Sequence, residues 1–324
     1  MAAALRRVRT ALGVEPLLVH IDHRLRPSSN EERVRAAALA ADLGLHFRAL
    51  SAPAPLLQHH PHLGVEEAAR RERYRLLGQA ALEAGAHMIA TAHQREDQAE
   101  TVLLHLFHGS GVHGASAMSE QAAVPFPFPS AKSDISQETA IISLWRPLLQ
   151  EPRRSIDRYV ARLGLAWIED SSNDDVSLRR NAVRHRILPL LEHHFPGAAA
   201  ALARYASLAA ADDEALDHLA AAAIPEVVDP GGRLTAAALV EKPLALQRRV
   251  VRRWIVDTTG LTTITAERTD AVIGLAAAGE GTPTIEIGDH WTVHREQGML
   301  HLSNVNVKRP DQDQEHDREW QERR

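Results

Sequence analysis

The sequence predicts an α/β fold: a parallel-sheet domain with helices on both faces, followed by a smaller, mainly helical domain. In the first half, short apolar runs typical of buried strands alternate with longer helical patterns, as expected for βαβ units. After Pro196 and Gly197 the chain becomes alanine-rich, which favours helices. Ligands of such sheets bind where the strands end, so the residues after each strand are the candidate site.

Each element follows from its local pattern. Strands are predicted at 16–21, 45–50, 87–92, 141–144 and 165–168, and helices at 31–43, 65–84, 97–107 and 153–163. Residues 122–139, which include Pro-Phe-Pro-Phe-Pro-Ser, are predicted to form a mobile surface loop. In the second half, helices are predicted at 198–223, 247–256 and 266–278, and strands at 284–287, 291–294 and 299–302. We therefore place the domains at 1–195 and 196–303, with a charged, disordered tail at 304–324.

Composition excludes several classes of protein. The 324 residues are 44% hydrophobic and 24% charged, which is ordinary for a globular chain. No uninterrupted apolar run is long enough to span a membrane, and the N-terminus lacks the apolar centre of a signal peptide, so we expect a cytoplasmic protein. The chain has no cysteine, which excludes disulfides, cysteine-bound zinc and iron–sulfur clusters.

Charge is unevenly distributed along the chain. Net charge is −5, but the balance in residues 1–195 is close to neutral, and the acidic excess lies in the remainder. Four arginines occur within residues 179–186. Because phosphate binding depends on local charge more than on net charge, nucleic acid remains a candidate partner.

The densest polar motif, Thr-Ala-His-Gln-Arg-Glu-Asp-Gln-Ala-Glu-Thr, follows the apolar run Met88–Ala90. Asp97 and Glu100 would share one face at the start of a helix. Two acidic side chains in a first helical turn interact favourably with the helix dipole, and this alone explains them without a function. The same pair is equally suited to proton transfer. Metal ligation by these acids and His93 is geometrically feasible, but no second histidine lies in register.

Two other segments carry candidate site residues. Arg70 and Arg73 lie one turn apart beside Tyr74, either as a solvated basic face or as an anion site. Asp22 and His23 end a predicted strand, which fits a ligand crevice and also a plain turn.

Taken together and in this order, the motifs resemble the tRNA(Ile)-lysidine synthetases, a family of N-type ATP pyrophosphatases (adenine nucleotide alpha hydrolase-like). The resemblance is close to about residue 195 and looser to about residue 303. Its matching pieces are VHIDHRLRP, GVEEAARRERY, IATAHQREDQAET, HGSGVHGASAM, WRPLLQEPR and WIEDSSNDDVSLRRNAVRHRILPLL.

The resemblance implies a carbon–nitrogen ligase. ATP, with Mg²⁺, would adenylate the carbonyl oxygen at C2 of the wobble cytidine in tRNA(Ile) with a CAU anticodon. Free L-lysine would then displace AMP to give lysidine, changing decoding from AUG to AUA. By similarity, Asp97 and Glu100 would handle the lysine, Arg70 and Arg73 would act on the triphosphate or anticodon, and the nucleotide pocket would include Asp22, His23 and His93. The tRNA contacts implied are Arg146, Arg153, Arg179, Arg180, Asn181, Arg184, Arg249 and Arg253. A homodimer is compatible with the family.

The sequence departs from the family pattern at two places. Glu96 replaces the first of two aspartates, which keeps the charge and lengthens the side chain. The family's Ser-Gly-Gly-x-Asp-Ser phosphate loop does not occur in the sequence, which leaves a misassigned or truncated start, or an inactive tRNA-binding homologue. A tRNA thiolase of the same class fits less well, because most use cysteine. Arg248–Arg253 likewise either contact tRNA or solvate a helix whose apolar face packs inward.

Overall fold

The computed structural model describes residues 1–24, 29–125, 142–165, 175–261, 264–279, 281 and 284–305. The chain forms two compact units, Met1–Ala210 and Ala211–Arg324. Within the described residues, no helix is both long and apolar enough to cross a membrane.

The first unit alternates strands and helices as the sequence predicts. Its strands are β1 (Leu17–Asp22), β2 (His46–Ser51), β3 (Met88–Ala90), β4 (Gln121–Ala123) and β5 (Ser143–Trp145). Its helices are α1 (Ala2–Leu12), α2 (Ser29–Asp42), α3 (Leu56–His59), α4 (Val65–Glu83), α5 (Arg95–Phe107), α6 (Val112–Ala115), α7 (Arg153–Arg162), α8 (Arg179–Ala182) and α9 (Leu188–His194). A π-helical turn, Val183–Ile187, joins the last two, and α10 (Ala198–Val227) leads into the second unit.

The strands of the first unit form two sheets. β1 pairs in parallel with β2, and β3 pairs in parallel with β5. No ladder joins β1 to β3 in the described part of the chain, although α4 packs against both. The carboxyl ends of β1 and β3 lead respectively to Asp22 and to the polar motif at the start of α5, which are the predicted site segments.

The second unit packs helices on an antiparallel sheet. Its strands are β6 (Leu234–Thr235), β7 (Ile285–Gly288), β8 (Trp291–Glu296) and β9 (Met299–Asn304), in the order β6-β9-β8-β7, and its other helices are α11 (Ala236–Val240), α12 (Leu244–Thr259) and α13 (Ala266–Ala277). Val250, Val251 and Trp254 from α12 are buried in its core, so the apolar face of that helix points inward as the sequence pattern indicates.

Three predicted segments differ from the structure or fall outside it. Residues 122–139 were expected to form a loop, but Ala122 and Ala123 belong to β4, which pairs antiparallel with β5 and satisfies backbone groups that a loop would leave to solvent. Most of that segment, most of the strand predicted at 165–168 and most of the tail lie outside the described residues.

Candidate active site

The polar motif after β3 becomes the first turn of α5. Gln94 is the N-cap residue, and its side chain accepts the backbone N–H of Asp97. In return, Oδ2 of Asp97 accepts the backbone N–H of Gln94 at 2.9 Å. This reciprocal capping box fixes the start of the helix and places Asp97 and Glu100 on one face, three residues apart.

Two arginines from α8 and the π-helical turn contact both carboxylates. Arg184 donates from Nε to Oε1 of Glu100 at 2.7 Å, and from Nη2 to Oδ1 of Asp97 at 2.8 Å. Arg180 donates from Nε to Oε2 of Glu100 at 3.0 Å, and more distantly from Nη2 to Oδ1 of Asp97 at 3.3 Å. Four side chains, which we call the carboxylate–arginine cluster, therefore join two motifs that lie about 80 residues apart in the sequence.

The side chains of this cluster differ in how far they are buried. The Glu100 side chain is 1% exposed, whereas Arg180 and Arg184 keep 28% and 30% of their side-chain surface. Burial alone would lower the pKa of Arg184, but hydrogen bonds and the charges of Glu100 and Asp97 raise it. A buried carboxylate requires such a partner, and the partly exposed arginines remain accessible to a ligand.

The arginines meet the carboxylates because of helical spacing. Arg180 and Arg184 are four residues apart, so they project from one face. Val183 and Leu188, which flank this face, are buried against Ala99 and Leu103 of α5. The intervening π-helical turn is a local irregularity that occurs frequently at functional sites.

His93 lies beside the cluster as a neutral imidazole. Its Nδ1 lies 2.9 Å from Oγ1 of Thr91. Burial lowers the pKa of His93 to about 4, the charge of Asp97 opposes the shift, and Arg146, Arg180 and Arg70 add to it. His93 is therefore uncharged at neutral pH, and suits a polar contact better than a charge.

Cationic side chains from α4, and from the residue that follows β5, surround the buried ring of Tyr74. The guanidinium carbon of Arg70 lies 5.3 Å from the ring centroid, in cation–π geometry. Arg146 is 6% exposed and donates from Nη1 to the carbonyl of Ser119 at 2.6 Å. Desolvation lowers the pKa of Arg73, and the positive charges of Arg70 and Arg180 lower it further, so these cations share one region. Such a concentration of positive charge fits an anion.

The end of β1 adjoins the same cations. Arg73 Nε lies 3.4 Å from Nε2 of His23, and Nδ1 of that histidine is buried with no hydrogen-bond partner among the described residues. Burial, followed by the charge of Arg73, lowers the pKa of His23 to about 4. Asp22 accepts the backbone N–H of Arg24 at 2.7 Å. The residues expected from the sequence at the nucleotide pocket thus include an unsatisfied buried nitrogen next to an arginine.

Other predicted RNA contacts in the first unit have protein partners. Arg179 reaches Nε2 of His108 at 2.9 Å. Asn181 is buried and donates to the carbonyl of Asp175 at 3.0 Å, a structural contact within its own segment. Arg153 pairs with Asp157 at 3.0 Å, and both side chains are more than half exposed.

In the second unit, the arginines of α12 differ in their surroundings. Arg249 is largely buried and contacts the carboxylates of Asp213 and Asp217, while Arg248 forms a two-point pair with Asp270 at 2.7 and 2.8 Å. Arg253 is about half exposed and has one longer contact, 3.5 Å, with Asp257. On this helix Arg253 is thus the more accessible of the two predicted RNA contacts.

Two residues of the site were not assigned from the sequence. Oε2 of Glu96 accepts the backbone N–H of Arg153 at 2.9 Å, so it satisfies an N–H at the start of α7. Asp157 lines a cavity next to Asp97. Its i, i+4 spacing from Arg153 was a readable signal, but only the fold brings that pair beside α5.

Among the described residues, no group of three or more acidic or histidine side chains is arranged to hold a metal ion. The cations around Tyr74 and the unsatisfied nitrogen of His23 instead suit the phosphates of a nucleotide.

A PP-loop domain model matches residues 1–191, and a TilS substrate binding domain model matches residues 234–301. Because the first match covers more than half of the chain, the protein belongs to the PP-loop ATP-pyrophosphatase family.

Its curated relatives include proteins named tRNA(Ile)-lysidine synthase. The relative from Deinococcus deserti is 37% identical over 250 residues, which is 77% of this chain and 41% of that protein. The Thermus thermophilus relative is 36% identical, and the match covers 74% of this chain and 44% of that protein. The Ralstonia nicotianae relative is 34% identical, and the match covers 86% of this chain and 56% of that protein. The chain thus spans about half the length of the curated relatives it matches.

Among solved structures, a U34-tRNA thiolase from Methanococcus maripaludis has a TM-score of 0.47 at 13% identity, covering 64% of this chain and 68% of that one.

Proposed function

We propose that this chain carries the catalytic and tRNA-binding units of an enzyme that joins lysine to the wobble cytidine of tRNA(Ile) with a CAU anticodon. ATP, with Mg²⁺, would adenylate the carbonyl oxygen at C2 of that cytidine and release pyrophosphate. The amine of free L-lysine would then attack C2 and displace AMP, which leaves with that oxygen, to form lysidine. The carboxylate–arginine cluster at the end of β3 carries this proposal, and the family membership and the relatives' names support it.

The cluster suits an amine substrate for a simple reason. A lysine ammonium has a pKa near 10.4 in water and must lose a proton before its nitrogen can attack. Asp97 is the more exposed of the two carboxylates, at 13%, and can accept a hydrogen bond from the ammonium. The neighbouring cations Arg180 and Arg184 disfavour a further positive charge, which assists deprotonation.

The cations around Tyr74 would hold the phosphates. Arg70, Arg73 and Arg146 converge there, and His23 and His93 are neutral polar groups nearby. When bound, ATP supplies the activating adenylyl group. The chain's own contribution is to neutralise charge and orient the reactants.

Lysidine formation tests this proposal directly. The protein is incubated with tRNA(Ile) bearing a CAU anticodon, ATP, Mg²⁺ and isotope-labelled lysine, and nuclease digests of the tRNA are examined by mass spectrometry. Labelled lysidine at the wobble position is the expected product, and a tRNA with a CAU anticodon that decodes methionine is the specificity control. If the tRNA(Ile) is bound but never modified, the alternative of a tRNA-binding homologue without catalysis replaces the proposal.

A further inference from the structure

We propose that three arginines on the outer face of α7 bind the phosphate backbone of the anticodon arm of the tRNA. Arg154, Arg158 and Arg162, which we call the α7 arginine stripe, are exposed and lie outside the motifs that carry the family resemblance. This inference rests on the proposed function and names a surface that holds the RNA beside the candidate active site.

Helical spacing aligns the stripe. Its three residues are each four apart, so their side chains project from one face of a helix of 10 residues. From Arg154 to Arg162 the helix rises by about 12 Å, and a stacked nucleic acid strand advances by about 3.4 Å per nucleotide. The stripe therefore matches the length of about three to four nucleotides.

The stripe lacks the acidic partners that other exposed arginines of the first unit have. Arg35 pairs with Glu31 on α2, and Arg71 pairs with Glu67 on α4. Within the part of the chain that the structure describes, the stripe arginines form no such ion pair. Their guanidinium groups are therefore available to phosphate oxygens, which a guanidinium can contact at two points.

The arrangement of charges on α7 costs the helix stability. Arginines four residues apart repel one another, and the first turn contains Arg153 and Arg154 but no acid, contrary to the preference of the helix dipole. Arg158 donates from Nε to the carbonyl of Arg154 at 3.3 Å, which leaves its terminal nitrogens for a ligand. An anion bound along the stripe would offset the repulsion, so a polyanionic partner explains the pattern better than a solvated face does.

The position of the stripe relates it to the candidate active site. The opposite side of α7 carries Ile156 and Val160, which line a cavity that Asp97 and Arg184 also line. Because a helix is about 10 Å across, the RNA backbone next to a nucleotide bound at this site is within reach of the stripe. Since the apolar residues of α7 line an interior cavity, they are not available to insert into a lipid surface.

Salt-dependent binding of an RNA hairpin tests the proposal. The probe is a fluorescent hairpin with the anticodon-arm sequence of tRNA(Ile), titrated by anisotropy between about 50 and 200 mM salt. The stripe variant combines Arg154→Gln, Arg158→Gln and Arg162→Gln. Its slope of log affinity against log salt should fall by about two to three, because each phosphate contact contributes about 0.7–0.9. Its affinity at about 0.1 M salt should fall at least about tenfold.

A matched variant separates RNA contact from the change in net charge. The control variant combines Arg9→Gln, Arg35→Gln and Arg71→Gln, which removes the same charge from arginines that have acidic partners. Its salt slope should equal that of the unchanged protein. A hairpin with a scrambled loop should lose affinity for the stripe variant by the same factor, because phosphate contacts do not read sequence.

A third variant separates loss of charge from damage to the fold. It combines Arg154→Lys, Arg158→Lys and Arg162→Lys. Because the salt dependence follows charge, this variant should keep most of the slope. A slope as low as that of the stripe variant would contradict a phosphate contact.

Equal salt slopes in the stripe and control variants would overturn the inference, as would failure of the unchanged protein to bind the hairpin. Binding of the stripe to phosphatidylglycerol vesicles, with no effect on RNA, would assign it to a membrane instead. If the stripe variant keeps its slope while the unchanged protein forms lysidine, the stripe is wrong and the proposed function stands. If the slope falls as expected but the unchanged protein never modifies the tRNA, the stripe stands and the proposed function fails.

Discussion

Arg184 lies against Glu100 with its Nε 2.7 Å from Oε1, and this contact joins α5 to the π-helical turn. The carboxylate is nearly inaccessible to solvent, so its charge depends on arginines for compensation. The Arg184–Glu100 pair therefore stabilises the first unit and also belongs to the candidate active site.

Removing the charge of Arg184 should destabilise the first unit. Arg184→Gln leaves Glu100 with Arg180 as its remaining cationic partner in the cluster, so we expect a loss of about 1.5–3 kcal/mol in the free energy of unfolding, as for a hydrogen bond to a charged group. Denaturant unfolding measures it, and Arg186→Gln, an exposed arginine two residues later, is the control. The double variant Arg184→Gln, Glu100→Gln should recover part of the loss, and no recovery would contradict a charge-based cause.

Asp97 should matter for turnover more than for RNA affinity. In a preparation that forms lysidine, Asp97→Asn should lower kcat at least tenfold, because a neutral amide cannot take a proton from the amine. Its affinity for tRNA should stay nearly unchanged, since this side chain is proposed to act on lysine. Near-native turnover would remove Asp97 from the assigned role. Because the side chain also caps α5, the variant's melting temperature is measured alongside.

The partly buried histidines His23 and His93 predict a loss of stability in acid. The pKa of His93 and of His23 is about 4 in the folded protein and near 6.5 when unfolded, so the unfolded chain binds more protons between those values. The contribution of these two histidines to the free energy of unfolding is fully present above about pH 6.5. It is lost towards pH 4, by at most about 1.4 kcal/mol per pH unit for each histidine.

Proton NMR titration provides the measurement for His93. The imidazole resonance that disappears in His93→Gln should titrate near pH 4, and the same variant should show a shallower acid dependence of its unfolding free energy. A resonance that titrates near pH 6.5 would contradict the burial of the ring.

Two arginines of α12 should respond differently to charge reversal. Arg253→Glu should weaken tRNA binding and reduce the slope of log affinity against log salt by about one, because one phosphate contact is lost. Arg249→Glu would place a third acid against Asp213 and Asp217, so its main effect should be on the stability of the second unit. If this slope is the same in Arg253→Glu as in the unchanged protein, Arg253 is an exposed residue that does not contact tRNA.

The length of the Glu96 side chain predicts that two substitutions at this position differ in their effect on stability. Glu96→Gln keeps the length of the side chain and should retain most of the contact with the N–H of Arg153. Glu96→Asp keeps the charge but shortens the side chain, and should destabilise the unit by about 0.5–2 kcal/mol, as for loss of a helix cap. Thermal unfolding of the two variants compares them. If the aspartate variant is the more stable, length is not the reason for the glutamate.

The sequence by itself determined the alternation of strands and helices, the composition of each motif and the helical faces. Spacing of three and four residues was sufficient to place Asp97 beside Glu100 and Arg180 beside Arg184, because neighbours on a helix surface follow from its 3.6-residue turn. The inward face of α12 followed from the same periodicity.

Only the tertiary structure decided which faces meet. The sequence suggested phosphate contacts for Arg180 and Arg184, whereas packing of Val183 and Leu188 against α5 brings both to the carboxylates. The tertiary structure also decided that Arg249 contacts acidic side chains of α10 and that Glu96 contacts the start of α7. Such pairings join residues far apart in the chain, and local patterns carry no information about them, because they depend on how the apolar faces of separate helices pack together.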